Sequence, residues 1–310
     1  MTKTRLEQCF ENNSLILTEG GVGQRLEKEY SLKPDADIMY ASLIYDSIGR
    51  SALTAIYRSY LQVAQDYHLP ILLLTNTRRA NMDRVLRSKF KDRNMMRDYA
   101  VFLRELASMY TCETFIGGMM GCRGNAYCGT EGMSTNEAIH FHTWQMNMFD
   151  LDTIDFLFAG IMPTLPETIG MAHVMEKSNL PYIISLMVKQ NGTILDGTAI
   201  HDVISYTDTA TQRNPLCYMT NCVHPSILKE ALMQKINQTE LVKKRFCGIQ
   251  ANASSLSLKQ LDNSAILHTS AAKELAKEFS LLHDSFPLKI FGGCCGTDES
   301  HIIELIKQLG

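Results

Sequence analysis

Nine cysteines are spread over 310 residues, and three of them stand in segments unlike the rest of the chain. Cys222 falls in Asn221-Cys222-Val223-His224-Pro225, and the other two are adjacent in Gly292-Gly293-Cys294-Cys295-Gly296-Thr297. Alone, the double cysteine is equally well read as two buried thiols beside a glycine bend, or as a vicinal disulfide. Joined by Cys222, it makes a soft, electron-rich donor set of the kind that holds zinc. Three protein ligands leave the fourth tetrahedral position open, the mark of a catalytic rather than a structural site. A small thiol entering that position loses its proton at neutral pH, because the dication stabilises the thiolate. With three or four thiolates the centre is net negative, which favours nucleophilic sulfur over polarisation of a carbonyl. The expected cofactor is a zinc ion, Zn2+, on Cys222, Cys294 and Cys295. The expected chemistry is group transfer to a thiol.

Such a centre needs a fold that brings together segments 72 residues apart. Short apolar runs that read as buried strands occupy 14–18, 71–75, 113–117, 154–159, 182–187, 216–220, 246–250 and 288–291. Each is flanked by glycine, proline or asparagine, as buried parallel strands tend to be. Between them lie segments of helical period. Leu53, Ile56, Tyr57, Tyr60, Leu61 and Ala64 fall on one face, as do Val101, Leu103, Leu106, Ala107 and Tyr110. Ile266, Ala271, Leu275, Ala276 and Phe279 form a looser stripe near the end. Strand and helix alternate with room for a crossover each time, which predicts a closed (β/α)8 TIM-type barrel as a single domain over 1–310. An open doubly wound sheet is the alternative. Gly20, Gly21 and Gly23 approach its dinucleotide turn but lack the third glycine and the matching acid. In a barrel, Cys222 and the Cys294–Cys295 pair follow the sixth and eighth strands at the face where active sites sit. Arg78 to Arg97, rich in charge and methionine, reads as an exposed helical insert or lid.

Composition sets the bounds. Hydrophobic residues make up 45% and charged residues 20%, ordinary for a globular chain with a large core. A net charge of −3 provides no basic field, so nucleic acid is not an expected partner. No run of 18 or more apolar residues exists, so no transmembrane helix is expected. The segment Met1 to Asn13 is polar, without the apolar stretch of a secretory signal, which points to the cytoplasm. In a reducing compartment, cysteines serve as small buried residues, nucleophiles or ligands. Helix faces on the outside of a barrel leave room for a homo-oligomer, but no patch stands out.

The cysteine elements resemble those of the homocysteine S-methyltransferase family, which includes betaine–homocysteine methyltransferase and the homocysteine-binding module of methionine synthase. The family signature is an Asn-Cys element plus Gly-Gly-Cys-Cys near the carboxyl terminus, and both are present. Supporting pieces are Thr18-Glu19-Gly20-Gly21, Thr75-Asn76-Thr77, Asp196-Gly197-Thr198 and Ala251-Asn252. The resemblance runs from Leu15 to Gly296. It implies the barrel, zinc on Cys222, Cys294 and Cys295, and methyl transfer to homocysteine, giving methionine. It also implies substrate contacts at Glu19, Gly20, Gly21 and Asn252, with Asn221 and Gly293 supporting the cysteine loops. Glu19 would hold the ammonium of the thiol, and backbone N–H groups at the glycines its carboxylate.

The pattern fails at definite places. The first turn in the family usually reads Asp-Gly-Gly, one methylene shorter than Glu19 allows. After the fourth strand the family carries a glutamate that also contacts the amino acid; here the segment is Gly160-Ile161-Met162-Pro163. Glu167 is too far along to stand in for it. The third-strand loop, Gly117 to Asn125, departs from the usual run. Cys122 and Cys128 read as incidental cysteines in it, and Arg123 as either solvated or an anion contact. His140 and His142 are placed on a helix, pointing apart, with no role. His224 is open to a supporting contact or to a bond within its own loop. The methyl donor is an onium compound or a methylated corrinoid. Two alternatives stand beside this reading: a family member that lost homocysteine recognition, or a zinc barrel of another reaction type.

Overall fold

The computed structural model describes residues 3–254 and 271–310. Eight parallel strands close into a barrel in sequence order: β1 (Ile16–Thr18), β2 (Ile71–Leu74), β3 (Thr114–Met120), β4 (Phe156–Met162), β5 (Tyr182–Leu186), β6 (Cys217–Val223), β7 (Phe246–Ala251) and β8 (Ile290–Gly293), with β8 pairing back onto β1. All eight expected strands are present, and the expected TIM-type barrel is the fold. Helices cover the outside, so every strand is buried on both faces and its sequence is apolar almost throughout.

Period-2 alternation divides the strand residues. Leu17, Leu73, Ile116, Leu157, Ile184 and Ile249 join the large cluster shared with the helices. Ile16, Leu72, Phe115, Phe156, Ile183 and Ile290 form a separate cluster, the lumen of the barrel. The helix Arg5–Asn12 closes the lumen from below. A capping box between Thr4 and Glu7 starts it, and it brings Leu6 and Cys9 into the lumen cluster.

Toward the carboxyl ends of the strands, the lumen turns polar. Ser185 on β5 donates to Asn221 Oδ1 on β6 at 2.5 Å. Asn221 Nδ2 donates to Gln250 Oε1 on β7, and Gln250 Nε2 donates to Thr18 Oγ1 on β1 at 2.8 Å. Thr18 in turn donates to the Glu19 carbonyl at 3.1 Å. This belt skips β8, where Gly292 stands: a Cβ there would lie 1.9 Å from Thr18 Oγ1. Glycine is needed at 292 so that β7 and β1 can bond across it.

Two expectations change. The segment from Arg78 to Arg97 is helical in part and exposed in part, as expected, but it is anchored to the barrel and not a free lid. It contains a short helix, Met82–Arg87, and then the helix Met95–Ala107, with Val85, Met95 and Met96 buried. Apolar residues placed among the charges fasten it to the barrel wall. Tyr110 lies beyond the end of the Met95–Ala107 helix, and Ile266 lies outside the described residues. Among the described residues, no helix is long and apolar enough to cross a membrane. Replacing Gly292 with alanine should lower stability by about 1–3 kcal/mol through overpacking. A urea titration should show an earlier midpoint at unchanged slope; an unaltered midpoint would mean the belt is not held this tightly.

Candidate metal centre and substrate pocket

A register shift brings Cys222 into play. Asn221 pairs with Gln250 and Val223 with the next residue, Ala251, so Cys222 is one extra residue on β6. It takes φ of 59°, the left-handed region. That conformation costs a non-glycine residue about 1–2 kcal/mol, and it has a use here. On a regular strand Asn221 and Cys222 would face opposite sides; the bulge lets Asn221 enter the belt while Cys222 turns to the barrel mouth.

Cys294 and Cys295 follow directly on β8. The three sulfurs of Cys222, Cys294 and Cys295 lie within 4.8 Å of one another, the only such metal-competent cluster among the described residues. The sulfurs of Cys222 and Cys294 are in direct contact and Cys295 is free; all three serve as ligands only as reduced thiols. The chain turns after β8 at one glycine. Only Gly296 takes a positive φ, 82°, while Gly292 and Gly293 continue the strand. The Cys294 carbonyl accepts from Thr297 Oγ1 at 2.8 Å and from Thr297 N at 3.3 Å, and Gln24 Oε1 accepts from Gly296 N.

Asn252 does not line the pocket. Its Nδ2 donates to the Cys222 carbonyl at 2.9 Å and its Oδ1 accepts from Cys295 N at 3.2 Å. With both groups engaged, it fastens the β6 and β8 loops to each other. Asn221 and Gly293 do line the pocket, below the sulfurs.

That pocket has a volume of about 330 Å3, at the low end for small-molecule sites. Glu19, Gly20 and Gly21 form one wall, with Asn76, Arg78 and Arg79 from the β2 loop beside them. Met119 and Ile161 make an apolar wall, and Tyr40, Glu27 and Tyr127 stand around the cavity. Glu19 is buried, and its Oε2 accepts from Leu74 N at 3.3 Å. Burial pushes its carboxyl up to about 8, although hydrogen bonds from the backbone and from Gln250 oppose the shift. Burial also raises the Cys295 thiol, with the positive charge of Arg78 acting the other way.

Other expectations resolve by contact. Gly21 N–H donates to the Thr297 carbonyl at 3.1 Å, so that group is not exposed to a substrate carboxylate as expected. A side chain at Gly160 would begin 2.6 Å from Phe158 and 3.0 Å from Met119, so aromatic and thioether groups fill the place of the family's second acid. Glu167 sits on the following helix, buried, accepting from Arg123 N at 2.8 Å and facing His142 Nε2 at 3.1 Å. These contacts hold it away from the pocket, whose lining does not include it. His140 and His142 share the helix Thr135–Asn147 and point apart, His142 inward. Arg123 pairs with Asp83 at 3.0 Å. Cys122 and Cys128 make separate contacts, with the Gly124 carbonyl and with Thr130. His224 accepts from Ser226 N and starts the helix Pro225–Met233.

Sequence reasoning missed Ser185, Gln250, Tyr40 and Tyr127. None stands in a motif, and only closure of the barrel makes them neighbours. Arg78 and Arg79 had a signal, since they directly follow Thr75-Asn76-Thr77.

Comparison with known proteins agrees with this architecture. No curated protein sequence matches the chain. Among solved structures, the metallated form of the homocysteine methyltransferase MmuM from Escherichia coli superimposes with a TM-score of 0.75 at 16% identity, covering 98% of this chain and 99% of its own. The oxidized form of the same protein gives 0.72 at 17% identity over 99% and 100%. Its apo form gives 0.69 at 15% over 96% and 97%. At such identities the likeness concerns the fold. The family model described as homocysteine S-methyltransferase matches residues 16–309, nearly the whole chain. The chain is thus a thiol S-methyltransferase that belongs to the homocysteine S-methyltransferase family.

Proposed function

We infer that the protein transfers a methyl group from an onium-type or corrinoid-bound donor to homocysteine, and that Cys222, Cys294 and Cys295 hold a zinc ion at which the thiol is activated. The observation that carries this reading is the approach of three sulfurs, from the ends of two strands, to within 4.8 Å beside a cavity of substrate size. Three soft sulfur donors from rigid strand ends suit zinc and leave a fourth position toward the cavity. When bound, zinc supplies stabilisation of the substrate as thiolate. The chain's own residues supply the rest. Glu19 takes the substrate ammonium, Asn252 keeps the two cysteine loops in register, and Met119 and Ile161 exclude water on the side where the methyl group passes. A centre of thiolates keeps its ligands only where thiols stay reduced, so a cytoplasmic setting goes with this reading. The whole chain acts as one domain.

A second reading, a thiol other than homocysteine, draws on the filled space over Gly160. Fewer acids in the pocket mean weaker preference for an ammonium group.

The metal is tested by zinc content and X-ray absorption at the zinc edge on reduced protein. Three sulfurs should become four on adding homocysteine, and Cys222→Ser, Cys294→Ser or Cys295→Ser should each lower zinc affinity at least tenfold. A reduced, folded protein without zinc would sink the reading.

The role of Glu19 makes a separate prediction. Its carboxyl, raised to about 8, is mostly protonated in the empty pocket at pH 7. An arriving ammonium favours the carboxylate, so binding expels a proton. Calorimetry in buffers of different ionisation heat should find nearly one more proton released by the wild type at pH 7 than by Glu19→Gln. The wild-type affinity should rise from pH 6.5 to 8.5, and the variant should lack that component. Equal proton counts would remove Glu19 from ammonium recognition.

A further inference from the structure

The pocket contains a cation that no group of the described chain answers. Arg78 lines the cavity together with Cys295, Glu19 and Tyr127. Among the described residues Arg78 makes no ion pair and no side-chain hydrogen bond.

 Nearby arginines are all engaged: Arg79 donates to the Gly124 carbonyl at 3.2 Å, Arg84 to the Asp37 carbonyl at 3.3 Å, and Arg123 pairs with Asp83. Glu27, which also lines the cavity, accepts instead from the Tyr40 hydroxyl. Arg78 is held in place by its own backbone and stem, because Gly121 lies against its carbonyl and Cγ; a Cβ at 121 would come within 2.3 Å and 2.7 Å of these atoms.

A carboxylate-bearing substrate, meanwhile, lacks one of its expected partners. Gly21 N–H is bonded to Thr297. A half-buried, unpaired guanidinium costs solvation that an anion restores, and its planar fork suits a carboxylate. We propose that Arg78 is a specificity-determining residue that binds the carboxylate of a substrate seated against Cys295. This rests on the reading of the protein as a thiol methyltransferase. The carboxylate is that of the thiol or of the methyl donor, and the two are separable by experiment.

Two pairs of probes are used with the full-length, zinc-loaded protein, and binding is measured by calorimetry. Homocysteine is compared with 3-aminopropane-1-thiol, which lacks only the carboxylate. S-methylmethionine is compared with (3-aminopropyl)dimethylsulfonium, its decarboxylated counterpart. In one pair the wild type should prefer the carboxylate by about ten- to a hundredfold, the range of a charge-assisted bond. Arg78→Gln should erase that preference while binding the decarboxylated probe as the wild type does, and Arg78→Lys should restore part of it. Loss in the first pair assigns Arg78 to the thiol; loss in the second assigns it to the donor. A carboxylate preference that survives in Arg78→Gln, or none in the wild type, overturns the proposal and leaves the methyltransferase reading intact. No binding of either intact probe by the wild type overturns both. Unchanged zinc content and thermal midpoint in the variants show that the comparison concerns recognition and not folding.

Discussion

Gln250 lies almost fully buried in the barrel lumen, accepting from Asn221 and donating to Thr18. A buried amide left without partners costs about 1–3 kcal/mol, so each of these residues constrains the next. Ser185, Asn221, Gln250 and Thr18 come from β5, β6, β7 and β1, and their bonds set the heights of those strand ends relative to one another. The cysteines stand directly on this belt. Asn221 precedes Cys222, and Gly292 leaves the gap through which Gln250 reaches Thr18. The position of each sulfur is therefore set by polar bonds deeper in the barrel as much as by its own loop.

The same economy of contacts governs the loops above. Asn252 holds the carbonyl of Cys222 with one end of its amide and the N–H of Cys295 with the other. Thr297 and Gln24 fix the chain around Cys294 and Gly296. A site assembled from strands so far apart in sequence has no local chain stiffness to rely on. Cross-loop hydrogen bonds supply the preorganisation that a compact motif would obtain from a short turn.

Charge in the pocket is unevenly spread. Glu19 is buried under the first turn, Arg78 stands on the β2 loop, and Met119 and Ile161 make the remaining wall apolar. The space above Gly160 is filled by Phe158 and Met119. Relative to the family pattern the pocket has one acid fewer, and Arg78 places a cation in it. The barrel itself persists at 16% identity to the metallated MmuM structure. Fold and sulfur cluster follow from backbone geometry, which tolerates many sequences; recognition follows from a few side chains, which do not.

Alternation of short apolar runs with helical stripes was enough to predict the barrel, because strands buried on both faces must be apolar throughout and the helices between them must show one apolar stripe. The cysteine elements were legible for a related reason: Asn-Cys and Gly-Gly-Cys-Cys are rare local patterns whose chemistry depends on residue type. Other features were decided only in three dimensions. Nothing in the residues 221–223 marks the bulge that turns Cys222 toward the mouth, since it arises from pairing with β7. The same holds for Gln250, which reads as one more strand residue until closure sets it between Asn221 and Thr18. Asn252 was associated with substrate by its motif, yet its amide is taken up by two loops that only the closed barrel brings together. Sequence determines which chemistry is available and what period each segment has, because both are local properties. Which side chains meet, and which hydrogen-bonding groups remain for a substrate, is settled by packing among segments distant in the chain.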